Sequence, residues 1–368
     1  MPTLRELAID DLIASLPEWQ EAVVAPEGDT FVGALGFEDR SSIGFENWCS
    51  ATRKPRLRAI LVNYPFNKKD HEAQRQRFLE VAARWNVDLA WVTYKRLTVF
   101  GEMLSHLRSH APAKIILDLS SFASFAFYPV VSAIFEAAPS AELALWYTEA
   151  DSYFPAQDEW QTFRDKMKDL DLLERALLFD ESHFQSRGVD CVYESLNFPG
   201  RNVDNLPTRL IVVPNFSFER VNRMIDYAAS RYRIDRGGCE WIIGMPPDQQ
   251  RNAWRYDALW EMYGKPKLTR SASTLDYREM LLTLHQVWKE RYLAESLLVA
   301  TVGSKAQHLG TLLFLFTHPE VALILAEPKE FNAARYSARA GKQWQLDFGV
   351  IQSLSVKIRD WNKVVFDW

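Results

Sequence analysis

The sequence predicts an α/β fold: two tandem Rossmann-like domains with mainly parallel sheets, related by internal duplication. Three observations carry this. Short strands that are apolar throughout alternate with helical segments, the pattern of parallel sheets covered on both faces. Strand–helix units recur in the same order in both halves of the chain. The length of 368 residues suits about two domains. The expected layout is a first domain over residues 1–160, a helical connector over 161–204, and a second domain over 205–368 with a C-terminal strand tail.

The elements follow in order. Each half opens on a strand, Thr30–Phe37 and Arg209–Phe216, and runs into a corner of charged residues, Glu38-Asp39-Arg40 and Glu219-Arg220. The second strands, Leu57–Tyr64 and Cys239–Met245, stop at Pro65 and Pro246. Proline cannot donate a ladder bond, so it marks a strand exit. Charged, Gln-rich helices follow over Asp70–Arg84 and Asp248–Tyr263, with Phe78, Val81, Ala82 and Trp85 at helical spacing in the first. The third units are Val87–Val92 and Pro266–Ser271, with Thr98 and Ser273 or Thr274 at the expected helix N-caps. The fourth are the clearest. Lys114–Asp118 leads through Ser120-Ser121 to a helix over Phe122–Ala137 and the strand Leu143–Tyr147. Ser296–Thr301 leads through Val302-Gly303-Ser304 to a helix over Lys305–Thr317 and the strand Val321–Leu325. Glu149 and Glu327 then stand in matching contexts. The connector reads as helix and loop packed across both halves, and the tail from Phe348 as an edge strand or hairpin.

Composition excludes several classes. Hydrophobic residues make up 48% and charged residues 25%, which rules out a disordered or fibrous chain. The formal net charge of −5 supplies no basic field for duplex DNA or an acidic membrane. Cys49, Cys191 and Cys239 are sparse and odd in number, which argues against a disulfide framework and a structural zinc site. Met1–Leu16 lacks the pattern of a signal peptide, and the apolar stretch Thr311–Phe316 is too short to span a bilayer. A cytoplasmic protein with reduced thiols is expected. The aromatic load reads first as core filling, with a few rings able to stack on a base. The basic run Arg53–Arg58 reads as a solvated loop.

In open α/β sheets ligands bind beyond the carboxyl ends of the strands. The turn Thr301–Lys305 is the strongest candidate: it aims backbone N–H groups and a helix N-terminus at one point. Gly303, the Ser304 hydroxyl and the Lys305 ammonium would hold a phosphate, although neither G-x-x-x-x-G-K-[ST] nor G-x-G-x-x-G is present. The matching turn carries Asp118 and Ser120, which suit a ribose hydroxyl or an amine. Glu38 and Arg40 could touch a ligand or form a structural ion pair. Glu149 and Glu327 could serve as acid and base in a hydrolysis. His308 follows the Gly303 turn by one helical turn, and His106 and His110 form an i, i+4 pair read as surface. The sequence has no H-E-x-x-H and no G-x-S-x-G, which excludes a zincin and an elbow-type serine hydrolase.

The segment Val299-Ala300-Thr301-Val302-Gly303-Ser304-Lys305 resembles the strand–turn–helix of CRISPR-associated Rossmann-fold (CARF) sensor domains, with Val302 where the family has a first glycine. The tandem arrangement over about 25–345 is similar to SAVED proteins, which fuse two CARF-like units. This resemblance implies a sensor of a nucleotide or cyclic oligonucleotide in bacterial antiviral defence, with ligand held at strand-exit loops between the halves and an effector on another chain. A nucleotide hydrolase and a non-catalytic scaffold subunit are the alternatives. No metal ligand is assigned, and the cofactor is left open.

Overall fold

The computed structural model describes residues 4–52, 56–168, 170, 174, 177–178, 185–201, 206–232, 234, 238–248 and 252–366. Arg53, Lys54 and Pro55 of the basic run, and part of the connector, lie outside the described residues. The chain forms two compact units. The first comprises Met1–Ser152 with Ser337–Trp368, and the second Tyr153–Tyr336.

In the first unit α1 (Leu4–Ser15) and β1 (Gln20–Glu21) precede β2 (Thr30–Ala34), α2 (Ile43–Ala51), β3 (Leu57–Asn63), α3 (Lys68–Trp85) and β4 (Val87–Thr93). Then come α4 (Val99–His110), β5 (Lys114–Asp118), α5 (Ser124–Ala137) and β6 (Glu142–Tyr153). In the second, α6 (Gln157–Met167) and β7 (Ser186–Pro199) precede β8 (Thr208–Val213), α7 (Phe218–Tyr232), β9 (Cys239–Met245), α8 (Trp254–Met262) and β10 (Thr269–Ser273). It ends with α9 (Tyr277–Arg291), β11 (Ser296–Thr301), α10 (Lys305–Thr317) and β12 (Ala322–Phe331). The chain then returns to the first unit as β13 (Ser337–Val350) and α11 (Ile351–Phe366).

The first sheet runs β1-β13-β6-β5-β2-β3-β4 and the second β10-β9-β8-β11-β12-β7. The five strands β2 to β6 pair in parallel, as do β8 to β12. Numbered along the chain, both sets follow the order 3-2-1-4-5 of a Rossmann half. The same order twice is the structural form of the duplication. It places a switch point between β2 and β5 in one unit and between β8 and β11 in the other. The cores are built from residues that are apolar on both faces. Phe31, Phe45, Trp48 and Trp146 fill the first, and Leu210, Val212, Trp241 and Ile243 the second. That accounts for much of the aromatic excess.

Three elements differ from expectation. The connector is not only helix and loop. Its helix α6 buries Trp160, Phe163 and Met167 in the second core, and its β7 pairs antiparallel with β12 as the edge of the second sheet. The tail is a helix, because Ile351, Leu354 and Ile358 recur at helical spacing and are buried. A strand lies just upstream, as β13, between β6 and the short edge strand β1. It runs antiparallel to β6: Gly341 lies against Ala150, Arg339 pairs with Asp151 at 2.6 Å, and Phe154 N donates to Tyr336 O at the crossover. Finally, Thr98 is an N-cap as predicted, but α9 is capped by Asp276, with Ser273 Oγ accepting from the two amides before it.

Two antiparallel strands are exchanged. The strand that follows β6 in sequence belongs to the second sheet, and the strand that follows β12 belongs to the first.

Candidate functional site

At the β2/β5 switch point four candidate residues meet around Thr148 of β6. Arg40, 2% exposed, donates through Nη1 to Thr148 O at 2.6 Å and holds Glu38 with a two-atom grip at 2.9 and 3.1 Å. Glu38 also accepts from Ser337 Oγ. Ser120 Oγ accepts from Thr148 N at 2.9 Å and donates to Asp118 Oδ1 at 2.5 Å, while Ser120 N donates to the same oxygen at 2.9 Å. The second carboxylate oxygen of Asp118 packs on Gly44 so closely that a methyl there would collide with it and with Trp146. These side chains bind one another and the backbone. They form the floor that joins three strand exits.

Glu149 is half-buried beside Trp344 of β13. Burial raises its pKa, with Trp344, Arg40 and Lys342 opposing. Glu327 on β12 pairs in register with Cys191 of β7. Each glutamate therefore lies on the fifth parallel strand of its own sheet.

At the β8/β11 switch point the Gly303 turn opens α10. Ser304 is its N-cap and forms a reciprocal pair with Gln307: Ser304 Oγ accepts from Gln307 N at 3.1 Å, and Ser304 N donates to Gln307 Oε1 at 2.9 Å. Ser304 Oγ also donates to Thr274 O at 2.7 Å, so its hydrogen is used within the protein. The Gln307 side chain folds over Gly303, so a Cβ there would have to displace its Oε1. Gln307 is 1% exposed, and its Nε2, a donor, has no partner. Lys305, His308 and Arg220 gather here. Burial and the charges of Lys305 and Arg220 hold His308 well below its ordinary pKa. Burial pulls Arg220 down to about 10, with Tyr336, Tyr193, Tyr263 and Glu327 opposing. Arg220 donates to Ala326 O at 3.0 Å. Two cationic side chains, Lys305 and Arg220, with a neutral imidazole near a helix N-terminus are a setting for an anion.

His106 and His110 lie on α4, where His106 Nδ1 is 3.2 Å from Arg58 Nη2. Cys49 and Cys239 are buried, Cys191 is half-buried, and all three are free thiols. Burial, with Glu46 nearby, pushes Cys49 up to about 12. Among the described residues no helix is long and apolar enough to cross a membrane.

Two contributors escape a reading of single motifs. Thr148 meets Arg40 and Ser120 through its peptide groups while its Oγ1 accepts from Trp146 Nε1 at 3.2 Å, and its one signal is its place before Glu149. Gln307 was legible as the last residue of Ser-x-x-Gln, a capping-box pattern.

No family model and no curated protein matches the chain. Among solved structures it is similar to the functionally unknown protein PA1789 from Pseudomonas aeruginosa PAO1, with 10% identity, 90% of this chain and 98% of that chain covered, and a TM-score of 0.24. It is similar to Can2 from Sulfobacillus thermosulfidooxidans in complex with cyclic tetra-adenylate at 16% identity, spanning 47% of this chain and about half (49%) of Can2, with a TM-score of 0.25. A universal stress protein from Archaeoglobus fulgidus DSM 4304 is similar at 10% identity, covering 81% of this chain and 96% of that one, with a TM-score of 0.21. Scores at this level carry no argument for shared residues or ligands. The Rossmann assignment rests on the strand order.

Proposed function

We propose that the chain is a nucleotide-sensing protein whose phosphate-bearing ligand, a nucleotide or cyclic oligonucleotide, binds at the β8/β11 switch point. The observation that carries this reading is Gln307 Nε2, a buried donor without a partner, beside the α10 N-terminus where Lys305, His308 and Arg220 converge. A phosphate oxygen would accept from that amide at the positive end of the α10 dipole, with Lys305 supplying charge. The Gly303 turn shapes the approach, and Ser304 holds the turn rather than the ligand. Glu38, Arg40, Asp118 and Ser120 shape the companion loops of the first unit. The sensor reading places any effector on another chain, within an antiviral defence system.

The test is a panel of nucleotides and cyclic oligonucleotides, followed by thermal shift and product formation together. A shift without turnover, lost in Lys305→Ala along with its salt dependence, is the expected result. Unchanged affinity and salt dependence in Lys305→Ala would sink the assignment. One observation favours a second reading, a nucleotide hydrolase: burial raises the Glu149 pKa, as suits a general acid. Turnover abolished in Glu149→Gln or Glu327→Gln would support it. No shift and no turnover across the panel would leave a scaffold subunit.

A further inference from the structure

At the β2/β5 switch point the strand-exit loops carry a different chemistry from the cationic group of the second unit. His71, in the first turns of α3, is 3% exposed, and its Nδ1 has no partner. Its ring stacks on Phe37 at 6.0 Å and 6°, and lies 6.3 Å from Tyr64. Phe66 stacks on Tyr64 at 5.5 Å and 15°. Ser121, at the exit of β5, has a buried Oγ that is also without a partner and packs against Gly36, the residue before Phe37. Tyr64 links the two sides: its hydroxyl accepts from Ala123 N at 2.8 Å and donates to Ser121 O at 3.5 Å. Two orphaned polar atoms therefore flank the Gly36-Phe37 step, among three aromatic rings, of which Phe37 and Phe66 are half-exposed.

Leaving a buried polar atom unmatched is costly, and native proteins do so rarely. Burial also lowers His71 to about 4, so the imidazole is neutral at pH 7. A neutral ring, a hydroxyl and aromatic faces match a flat, uncharged partner with hydrogen-bonding edges.

We propose that the first unit holds a nucleobase at this site, its edge bonded to His71 Nδ1 and Ser121 Oγ and its face on the Phe37, Tyr64 and Phe66 rings. This rests on the nucleotide reading and deepens it: the first unit carries a base-recognition site of its own at the β2/β5 switch point. The half-exposed Phe37 and Phe66 rings form the mouth, and their side chains move aside to admit the base.

The probes are the nucleosides adenosine, guanosine, cytidine and uridine, which have no phosphate, titrated onto the full chain and followed by saturation-transfer NMR and calorimetry. At least one binds the unaltered protein. His71→Phe keeps the ring and its stacking but removes the nitrogen, and Ser121→Ala removes the hydroxyl. Each weakens nucleoside binding by about tenfold, the worth of one lost hydrogen bond. Neither lowers the melting temperature of the free protein, since each removes an unsatisfied group. A purely structural role would give the opposite pair of results. Absence of nucleoside binding, or unchanged affinity in both variants, would overturn the proposal. Nucleotides that bind through Lys305 while nucleosides fail would overturn this inference alone. Nucleosides that bind through His71 while Lys305→Ala changes nothing would remove the phosphate site alone.

Discussion

Arg40 and Arg220 hold equivalent places in the two units: Arg40 donates to Thr148 O at 2.6 Å and Arg220 to Ala326 O at 3.0 Å. Thr148 precedes Glu149 and Ala326 precedes Glu327, so each arginine reaches the same peptide of its fifth parallel strand. The repeated charged corner is thus a brace between the loop after the first parallel strand and the fifth. The partners differ. Arg40 has Glu38 within reach, whereas Arg220 faces tyrosines and Glu327.

Removing either brace destabilises its unit. Arg40→Ala leaves Thr148 O without this donor and the Glu38 carboxylate without its counter-charge, and costs about 3 kcal/mol, the usual loss on breaking a buried ion pair. Urea unfolding reads it. A cost near zero would mean that water replaces the guanidinium.

The Asp118–Ser120 floor is equally testable. Ser120→Ala orphans Thr148 N and costs about 1–3 kcal/mol. Gly44→Ala overpacks Asp118 and Trp146 and costs a further ~1–3 kcal/mol. Both shifts appear in the first unit's hydrogen-exchange protection, measured peptide by peptide.

Ser304→Ala removes the α10 cap and costs about 1 kcal/mol of stability. Its effect on nucleotide affinity is smaller than that of Lys305→Ala, because the hydroxyl is engaged with Thr274. Equal losses in the two variants would return Ser304 to direct phosphate contact.

Acid weakens the fold through its buried imidazoles. His71, His308 and His318 all have pKa values lowered by burial. The unfolded chain therefore takes up protons first, and stability falls as pH drops. For His71 this contribution is complete above its ordinary value of 6.5 and is lost between there and about 4. Glu149 and Glu320, raised by burial, act in the opposite sense, favouring the fold as pH falls. Urea midpoints between pH 7.5 and 5 decline, and His71→Phe flattens the decline.

The fold was legible where residues interact with near neighbours. Strands such as Ile115–Leu117 and Leu298–Ala300 are apolar on both faces, so their burial in parallel sheets follows from the sequence. The exchanged strands were not legible, because β7 and β13 are half-exposed and their partners lie more than a hundred residues away in sequence. The helical tail was misread because the short alternation Val356–Arg359 hides the wider spacing of Ile351, Leu354 and Ile358. In the site, the Lys305 turn was visible as a motif. Thr148 was not, since it meets Arg40 and Ser120 through its backbone. The roles of Asp118 and Arg40 depended on what else was buried beside them.

The exchange of strands also sets an order of synthesis. As the chain leaves the ribosome, β6 is complete long before β13, the strand that covers it. The second unit has all its strands by Phe331 and can close at once. The first must wait with β6 unpaired on one side, a template for other strands. It is the unit made first that finishes last, so its open edge is where a chaperone, or a second nascent chain, would find this protein.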